Sequence, residues 1–315
     1  MNILFTNIGR RTYFIDYALE LKNKGYPIRI FASDTSRETA GFWVSKDVTP
    51  FLTPHVSKNE EQYFTQLKKE CLKHEIEVII PMMDFELPVL AKKKRDLAGL
   101  GIQVIVSDYD TVMNCLDKKI NYEYCLKKEI QVPQALFDAG NLFFDFPLIK
   151  KKIKGSGSVG LRILQNPGEL ILFEQGTDLL QVCIEGKEYG VDILNDLNGN
   201  FVHSFVREKM SMRSGETDKA KGVFFDRFKV LAKTISSKFR HIGNMDVDFI
   251  EDKTGKVYFI DFNPRFGGGY PLTHLSGYNY LQALLDMIMG RPVKFPTEEK
   301  QIVLMKGISI HSFQE

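Results

Sequence analysis

The stretch from residue 243 to residue 270 constrains the fold most strongly, because two apolar-rich runs flank the turn sequence Asp252-Lys253-Thr254-Gly255. Such a pattern predicts a β-hairpin. With a turn of four residues, Asp248 lies opposite Phe259. Side chains alternate between the faces of a strand, so one face carries Asp246, Asp248, Asp261 and Asn263. The opposite face, which is expected to pack into the core, carries Val247, Phe249, Tyr258, Ile260 and Phe262.

The acidic face of this hairpin indicates a metal site. Carboxylates that share one surface repel one another unless a cation lies among them, and oxygen-only ligands suit Mg²⁺. Arg265 follows closely, and its guanidinium suits phosphate or carboxylate. The alternative is the polar outer face of an ordinary hairpin, although such a face more often mixes Lys, Thr and Ser with its acids. The stretch therefore favours a site for a metal ion and phosphate.

Charge and cysteine content exclude several classes of protein. The 315 residues carry a formal net charge of only +2, which does not favour nucleic-acid binding. The scattered cysteines lack the close pairs of a zinc site and are expected to be reduced thiols: Cys71, Cys115, Cys125 and Cys183. No apolar run reaches the roughly 18 residues that a membrane span needs. We expect a soluble, cytoplasmic protein.

The first third of the chain alternates short apolar strands with helical segments, which predicts a doubly wound parallel sheet. Ligands bind at the carboxyl ends of such strands, where Arg10, Asp84 and Glu86 lie. The first turn reads Asn-Ile-Gly-Arg-Arg and lacks the Gly-x-Gly-x-x-Gly pattern, so nicotinamide or flavin binding has weak support. Arg10 and Arg11 could instead hold an anionic substrate, and a solvated helix start is the alternative.

A glycine- and serine-rich loop at 155–160 follows the lysine-rich stretch 150–154 in the middle of the chain. Its backbone N–H groups can approach phosphate oxygens, and the lysines can neutralise their charge. The spacing does not fit a P-loop. A flexible glycine hairpin is the alternative reading, and the lysines just before the loop favour phosphate binding.

Together these motifs resemble the ATP-grasp superfamily, and they are similar to one half of the carbamoyl phosphate synthetase large subunit. The resemblance depends on Asp117-Lys118, on Phe-Pro-Leu-Ile-Lys-Lys at 146–151, on Gly-Lys-Glu-Tyr at 186–189 and on Asp-Phe-Asn-Pro-Arg at 261–265. It implies an α/β fold whose C-terminal part is α+β. A Rossmann-like domain (1–112) would precede a small ATP-grasp lobe with a lid loop (113–178) and a large lobe with the metal site (179–315).

The resemblance also implies roles for individual residues. Lys118 and Lys151 would bind the nucleotide phosphates, and Lys150 remains a second candidate for the role of Lys151. The lid would comprise Gly155, Ser156, Gly157 and Ser158. Adenine would contact Gln181, Val182, Cys183 and Ile184, and the ribose would contact Glu188. Mg²⁺ or Mn²⁺ would be held by Asp248, Asp261 and Asn263, and Arg265 would steady an acyl phosphate.

The chemistry that the resemblance implies is ligation of a small-molecule carboxylate to an amine. The carboxylate would attack the γ-phosphate of ATP to give an acyl phosphate and ADP, and the amine would then displace phosphate. Two alternatives stay open: a relative that forms carboxyphosphate or carbamoyl phosphate from bicarbonate, and an ATP-binding module without turnover. The resemblance also allows a homodimer.

Residues that recognise the substrate are predicted from charge and position. The segment 206–217 is dense in charge and resembles the loop beside the acceptor site of related ligases. Within this segment, Arg213 is the first candidate for binding the activated carboxylate or its partner, and Arg207 is the second. The alternative is that the segment is an exposed mobile loop. Asp84 and Glu86 could bind an amine, and Tyr270 could line the same cleft.

Overall fold

The computed structural model describes residues 1–141, 143–155, 160–213, 215–307 and 309–313. Its N-terminal sheet is wholly parallel, with the order β3-β2-β1-β4-β5, and it confirms the predicted doubly wound domain. The strands are β1 (Asn2–Thr6), β2 (Arg29–Asp34), β3 (Val48–Leu52), β4 (Val78–Pro81) and β5 (Gln103–Val104). The helices are α1 (Thr12–Asn23), α2 (Glu60–Lys73) and α3 (Leu87–Ala98), with short 3₁₀ turns at Ala40–Trp43 and Asp84–Glu86.

A small antiparallel sheet follows two helices, α4 (Tyr109–Leu116) and α5 (Lys118–Lys127). Asp117 separates these helices, and its side chain caps α5 by accepting hydrogen bonds from the N–H groups of Lys119 and Ile120. The sheet has the order β6-β9-β7-β8. Its strands are β6 (Ala135–Leu136), β7 (Leu148–Lys152), β8 (Arg162–Leu164) and β9 (Asp178–Val182), with 3₁₀ turns at Ala139–Asn141 and Pro167–Leu172. Strand β9 extends past the expected lobe boundary at residue 178.

A larger antiparallel sheet has the order β14-β13-β10-β11-β12-β15. Its strands are β10 (Gly186–Asn195), β11 (Phe201–Arg213), β12 (Glu216–Val223), β13 (Gly243–Asp252), β14 (Val257–Asn263) and β15 (Val303–Met305). The helices beside it are α6 (Asp226–Phe239), α7 (Tyr270–Leu275) and α8 (Tyr280–Ile288). In the part of the chain that the structure describes, no helix is long and apolar enough to span a bilayer.

The predicted hairpin is formed by β13 and β14, but its register differs from the prediction. Asp248 pairs with Asp261 rather than with Phe259, because a bulge inserts one extra residue between the Asp248 and Phe249 pairs. Phe259 therefore faces the core opposite Phe249, whereas Ile260 leaves the core face and lines a cavity instead. The acids and Asn263 keep their common face, so the shift changes their apolar neighbours and not the acidic surface.

The N-terminal domain and the large sheet share one hydrophobic core. Phe14 of α1 stacks on Tyr270 with ring centroids 5.3 Å apart, and it meets Phe266 edge-on at 4.7 Å. Both partners lie in the segment directly after β14, and all three rings are buried. Burial of such large aromatic surfaces fixes this segment against the parallel sheet. The carboxyl end of β4 consequently lies next to the end of β14, where the predicted substrate and metal residues meet.

Candidate functional site

A cleft of about 520 Å³ lies between the small and large sheets. The small sheet contributes Ile149 and Lys151, and the large sheet contributes Glu188, Asp248 and Asp261. Most residues predicted to bind a nucleotide line this cleft: Lys118, Lys151, Gly155, Gln181, Val182, Ile184 and Glu188. The cleft therefore combines cationic, acidic and apolar groups from two lobes that a short linker joins.

The two lysines predicted to bind the nucleotide phosphates, Lys118 and Lys151, both line the cleft. Burial lowers the pKa of Lys151 to about 8, with Lys118 lowering it further and Asp261 opposing the shift. The Lys151 Nζ donates only a long hydrogen bond, 3.4 Å, to the carbonyl of Ile260. Lys118 Nζ lies 2.9 Å from the carbonyl of Gly155 at the start of the predicted lid. An anion of high charge would offset the burial of the Lys151 ammonium.

Lys150 does not share this position. Its side chain is buried and forms an ion pair with Asp178 at 3.0 Å. Alternation along β7 directs neighbouring side chains to opposite faces, so only Lys151 of this pair lines the cleft. The geometry favours Lys151 over Lys150 as the phosphate ligand.

The predicted lid and the predicted adenine segment both contribute residues to the cleft. Gly155 lines the cleft, whereas Ser156, Gly157 and Ser158 lie outside the described residues. In the linker, Gln181, Val182 and Ile184 line the cleft, and Cys183 is half-buried beside it. The Val182 N–H already donates to the carbonyl of Gln134 at 2.9 Å. Along the described chain, the N–H groups of Cys183 and Ile184 have no backbone acceptor, so these groups are available to a base edge.

Lys209, on β11, is a residue of the cleft that the sequence did not single out. Its ammonium lies 2.7 Å from Glu188 Oε1 and 2.7 Å from Asp248 Oδ2, and its side chain is only 4 % exposed. Burial lowers the pKa of Lys209, but Asp248 and Glu188 outweigh burial and raise it overall. Its partners lie on two other strands, so neighbouring sequence gives no signal of this bridge. Lys209 is a third cation at the acidic face.

The donors at the acidic face fit a divalent cation. Asp248 and Asp261 are directly opposite on β13 and β14, and the Asn263 amide donates to Asp261 at 3.3 Å. Burial raises the pKa of Asp248 to about 7; Asp246 and Asp261 add to this rise and Lys209 opposes it. The Asp248 Oδ1 is buried and has no hydrogen-bond partner within the described chain. A cation would satisfy that oxygen and offset the repulsion.

This donor set suits Mg²⁺ better than a metal that requires a full protein cage. Among the described residues, no group of three or more His, Cys, Asp or Glu side chains is arranged around one metal position. Mg²⁺ is commonly held by one or two carboxylates while waters and substrate phosphates complete its octahedron. Two opposed carboxylates and an amide oxygen, beside a cleft whose lysines are predicted to bind phosphate, match that requirement.

A second cavity of about 120 Å³ adjoins the cleft and shares Lys209, Asp248 and Asp261 with it. Arg265 and Asp84 line its far side. The Arg265 Nη2 lies 2.7 Å from Asp84 Oδ2, and both side chains are about nine-tenths buried. Because Asp84 follows β4, the N-terminal domain contributes directly to this cavity. The arrangement can hold a small polar molecule beside the proposed metal site.

Two predicted substrate arginines lie at the surface rather than in either cavity. The Arg10 side chain is 71 % exposed and reaches Glu216 only at 4.0 Å. Arg213 is 63 % exposed and pairs with Asp218 at 3.3 Å. Neither lines the cleft or the second cavity, so the structure does not support their predicted contact with a substrate.

Three further predictions are corrected, because the side chains are buried and are held by partners within the fold. Glu86 accepts from Asn7 Nδ2 at 2.8 Å, from the Tyr63 hydroxyl at 2.7 Å and from two backbone N–H groups directly after β4. Tyr270 accepts from the N–H groups that begin α8. Arg207 is 1 % exposed and pairs with two aspartates. None of the three lines either cavity.

Comparison with known proteins finds two family matches along the chain. Residues 115–269 match the family described as ATP-grasp domain, and residues 3–105 match the PylC-like N-terminal domain. A pyruvate carboxylase from Aspergillus niger is 24 % identical over 319 residues, which cover 85 % of this chain and 26 % of that protein. The chloroplastic biotin carboxylase of Arabidopsis thaliana is 23 % identical over 186 residues, covering 52 % of this chain and 34 % of that protein. The chain thus spans about a third or less of these relatives.

Solved structures share the fold at low sequence identity. An N5-carboxyaminoimidazole ribonucleotide synthetase from Thermotoga maritima superposes with a TM-score of 0.71 at 18 % identity, covering 96 % of this chain and 79 % of that one. An ATP-analogue complex of biotin carboxylase from Campylobacter jejuni gives 0.72 at 16 %, covering 93 % and 72 %. An L-amino acid ligase from Bacillus licheniformis gives 0.70 at 17 %, covering 90 % and 73 %.

Proposed function

We propose that this chain is an ATP- and Mg²⁺-dependent carboxylate–amine ligase, because it carries an ATP-grasp domain at residues 115–269 that follows a PylC-like N-terminal domain. One observation carries the proposal. The cleft has lysines on one wall and paired carboxylates on the other, and it opens into a small cavity that contains Arg265. Nucleotide phosphates in the cleft would therefore lie beside a molecule held in the cavity.

The reaction proceeds in two steps. A carboxylate oxygen attacks the γ-phosphorus of ATP, the bond to the β-phosphate oxygen breaks, and ADP leaves. An amine nitrogen then attacks the acyl carbon, the C–O bond to phosphate breaks, and the amine loses a proton. A bound Mg²⁺ neutralises phosphate charge and orients the phosphate oxygens. The protein's part is to position the reactants and stabilise charge, which requires no nucleophilic side chain.

The cationic side chains divide this work. Lys118 and Lys151 approach the nucleotide phosphates from the small lobe, while Lys209 approaches from the large lobe. In the free protein, Glu188 and Asp248 hold Lys209. Arg265 lines the second cavity and would hold the substrate carboxylate, and later the acyl phosphate that forms from it. Its delocalised fork of donors matches a carboxylate or phosphate group.

A carboxyphosphate-forming relative that uses bicarbonate is the competing enzyme reading. The second cavity, at about 120 Å³, admits bicarbonate as readily as the acid end of a larger molecule. The similarity to proteins named pyruvate carboxylase and biotin carboxylase points the same way. Bicarbonate is therefore one arm of the test, and an ATP-binding module without turnover is a further outcome.

We also propose a small-molecule carboxylate and a small-molecule amine as the partners, and a cytoplasmic protein that forms homodimers. The 2-oxoglutarate carboxylase domain from Hydrogenobacter thermophilus, which shares the fold with a TM-score of 0.72 at 17 % identity, is named as a dimer with MgADP and bicarbonate. Light scattering of the purified protein tests the homodimer directly: a monomer mass near 36.1 kDa would contradict it.

The activity is tested by trapping the acyl phosphate with hydroxylamine, which replaces the unknown amine. The protein is incubated with ATP, Mg²⁺, hydroxylamine and pools of amino acids, sugar acids and other small acids, with bicarbonate as a separate arm. ADP release together with hydroxamate in one pool supports the ligase. Response to bicarbonate alone supports the carboxyphosphate reading. ATP binding without ADP release in any arm supports the module.

ATP affinity is expected to fall as the pH rises above about 8. Burial lowers the pKa of Lys151 to about 8, so its ammonium is lost in the free protein above that pH, whereas bound phosphate requires the charged form. Isothermal titration between pH 7 and 10 measures the fall, at roughly tenfold per pH unit where Lys151 is neutral. Lys151→Arg keeps its charge over this range, so its ATP affinity should stay level. An equal fall in both proteins would contradict the assignment.

A further inference from the structure

Five buried side chains of alternating charge run from the interior of the large sheet to the N-terminal domain. They are, in order, Asp192, Arg207, Asp246, Arg265 and Asp84. Arg207 Nη1 lies 2.6 Å from Asp192 Oδ2, and Arg207 Nη2 donates to Asp246 Oδ1. Asp246 Oδ2 is 3.9 Å from Arg265 Nη1, and Arg265 Nη2 is 2.7 Å from Asp84 Oδ2. We name this set the charge ladder.

The interior end of the charge ladder is rigidly held. Asp192 is fully buried and accepts hydrogen bonds from Thr273 at 2.6 Å and from Asn244 at 3.1 Å. Burial alone would lower the pKa of Arg207, but Asp192 and Asp246 outweigh it and raise that pKa. The guanidinium of Arg207 is therefore a permanent cation between two fixed acids. It lines neither cavity.

Two of the three glycines after Arg265 pack against side chains of the charge ladder. A Cβ at Gly269 would overlap the Arg207 guanidinium, and a Cβ at Gly267 would overlap the Asp246 carboxylate. Neither glycine has a positive φ, so they are required for space rather than for an unusual backbone. The backbone after Arg265 thus packs directly against Arg207 and Asp246, which makes the position of Arg265 sensitive to both.

Asp246 lies between two arginines, and its contact with Arg207 affects the position of Arg265. One Asp246 oxygen binds Arg207, and the other stays at 3.9 Å from Arg265, beyond hydrogen-bond distance. Asp84 has the closer contact with Arg265, at 2.7 Å. Without the fork of Arg207, the Asp246 carboxylate would be free to pair with Arg265 and draw it away from Asp84.

We propose that Arg207 is a positioning residue, which holds Asp246 back and so keeps the Arg265 guanidinium on Asp84 at the second cavity. The functional consequence rests on the role of Arg265 proposed above, whereas the positioning itself does not. Because Asp84 belongs to the N-terminal domain, that domain also helps to position Arg265. The ladder therefore joins the parallel-sheet domain to the substrate end of the site.

The positioning is tested on the free protein with Arg207→Lys, which keeps the charge but loses the fork. Spectra that correlate guanidinium carbon and nitrogen are recorded on labelled protein, with Arg265 assigned through Arg265→Lys. In the wild type, Arg265 is held by Asp84, by Asn263 Oδ1 at 3.2 Å and by the Phe266 carbonyl at 3.1 Å, so its two Nη signals should be distinct. Arg207→Lys should shift both signals, because Arg265 then pairs with Asp246 in place of Asp84.

Arg227→Lys is the matched control, because Arg227 forms a similar two-point pair with Glu251, at 2.6 Å and 3.1 Å, outside the ladder. It should leave the Arg265 signals unchanged. If Arg207→Lys does not unfold cooperatively, Asp192→Asn is used in its place. That change keeps the shape of the side chain and weakens the ion pair that holds Arg207 on the side away from Asp246. Unchanged Arg265 signals in a folded ladder variant would overturn the proposal.

A double-mutant cycle in the hydroxylamine assay, with the pool of acids as the probe, tests the consequence for turnover. Arg207→Lys should lower hydroxamate formation by about tenfold to a hundredfold, as expected for a misplaced group. It should cause no further loss in an Arg265→Lys background. Equal losses in both backgrounds would overturn the proposal. If the wild type shows no turnover, the proposed ligase activity is contradicted. The guanidinium spectra then test the positioning role of Arg207 without the activity assay.

Discussion

Lys151→Met is expected to lower kcat/KM for ATP by about 10²- to 10³-fold, the scale found when one preorganised electrostatic donor is removed. Lys151 lines the cleft from β7, and its ammonium has no carboxylate partner within hydrogen-bond distance in the described chain. It is therefore available to phosphate at a small cost of rearrangement. The substitution removes the charge and keeps a chain of similar length. Initial rates of ADP release at varied ATP concentration give the value.

Lys150→Met is the matched control, one residue away on the same strand. Lys150 is buried against Asp178, so its loss should lower the free energy of unfolding by about 1–3 kcal/mol, while Lys152 still pairs with Asp178 at 2.9 Å. ATP affinity should stay close to that of the wild type. The reverse pattern, with Lys150→Met losing ATP and Lys151→Met keeping it, would show that the face of β7 is wrongly assigned.

Asp261→Asn is expected to reduce turnover by about 10³-fold, because metal-assisted charge stabilisation is worth several kcal/mol. Asp261 stands opposite Asp248 at the acidic face, and an amide in its place removes one of the two paired carboxylates. The Mg²⁺ concentration needed for half-maximal activity should rise at the same time. Titration of ADP release with Mg²⁺ measures both effects.

Asp226→Asn provides the control for Asp261→Asn, since it makes the same chemical change at a side chain that is 97 % exposed. Its rate and Mg²⁺ dependence should match the wild type. ATP should still raise the unfolding temperature of Asp261→Asn, because the lysines of the small lobe remain. A wild-type Mg²⁺ dependence in Asp261→Asn would exclude Asp261 as a metal ligand.

Periodicity was sufficient to predict the parallel N-terminal sheet, the hairpin and its acidic face, but not the register of the hairpin. Both the expected and the observed pairings place Asp246, Asp248, Asp261 and Asn263 on one surface, so the pattern of acids could not distinguish them. The bulge that pairs Asp248 with Asp261 places Phe259 in the core and Ile260 at the cleft. A bulge residue can be as apolar as the strand residues beside it, so the alternation of apolar and polar residues does not reveal the bulge.

The sequence identified charged residues near the site without showing which of them are paired inside the fold. Arg207 and Arg213 lie on the same strand, yet one is enclosed between two aspartates and the other is exposed. Lys209 lies between them and meets partners on two other strands. Such partners are distant along the chain, so neither spacing nor composition indicates them. The same reason explains why Glu86 and Tyr270, which are held by partners inside the fold, were expected to bind a substrate.

The central claim is that the carboxylate oxygen is transferred to phosphate, and an oxygen-18 experiment tests it most directly. The protein is incubated with ATP, Mg²⁺, hydroxylamine and a pool of acids labelled with ¹⁸O in their carboxylates, and the phosphate is examined by ³¹P NMR. An acyl phosphate predicts ADP together with phosphate that carries one ¹⁸O atom. Unlabelled phosphate would show hydrolysis by water, and labelled AMP would show adenylation; either result would contradict the account.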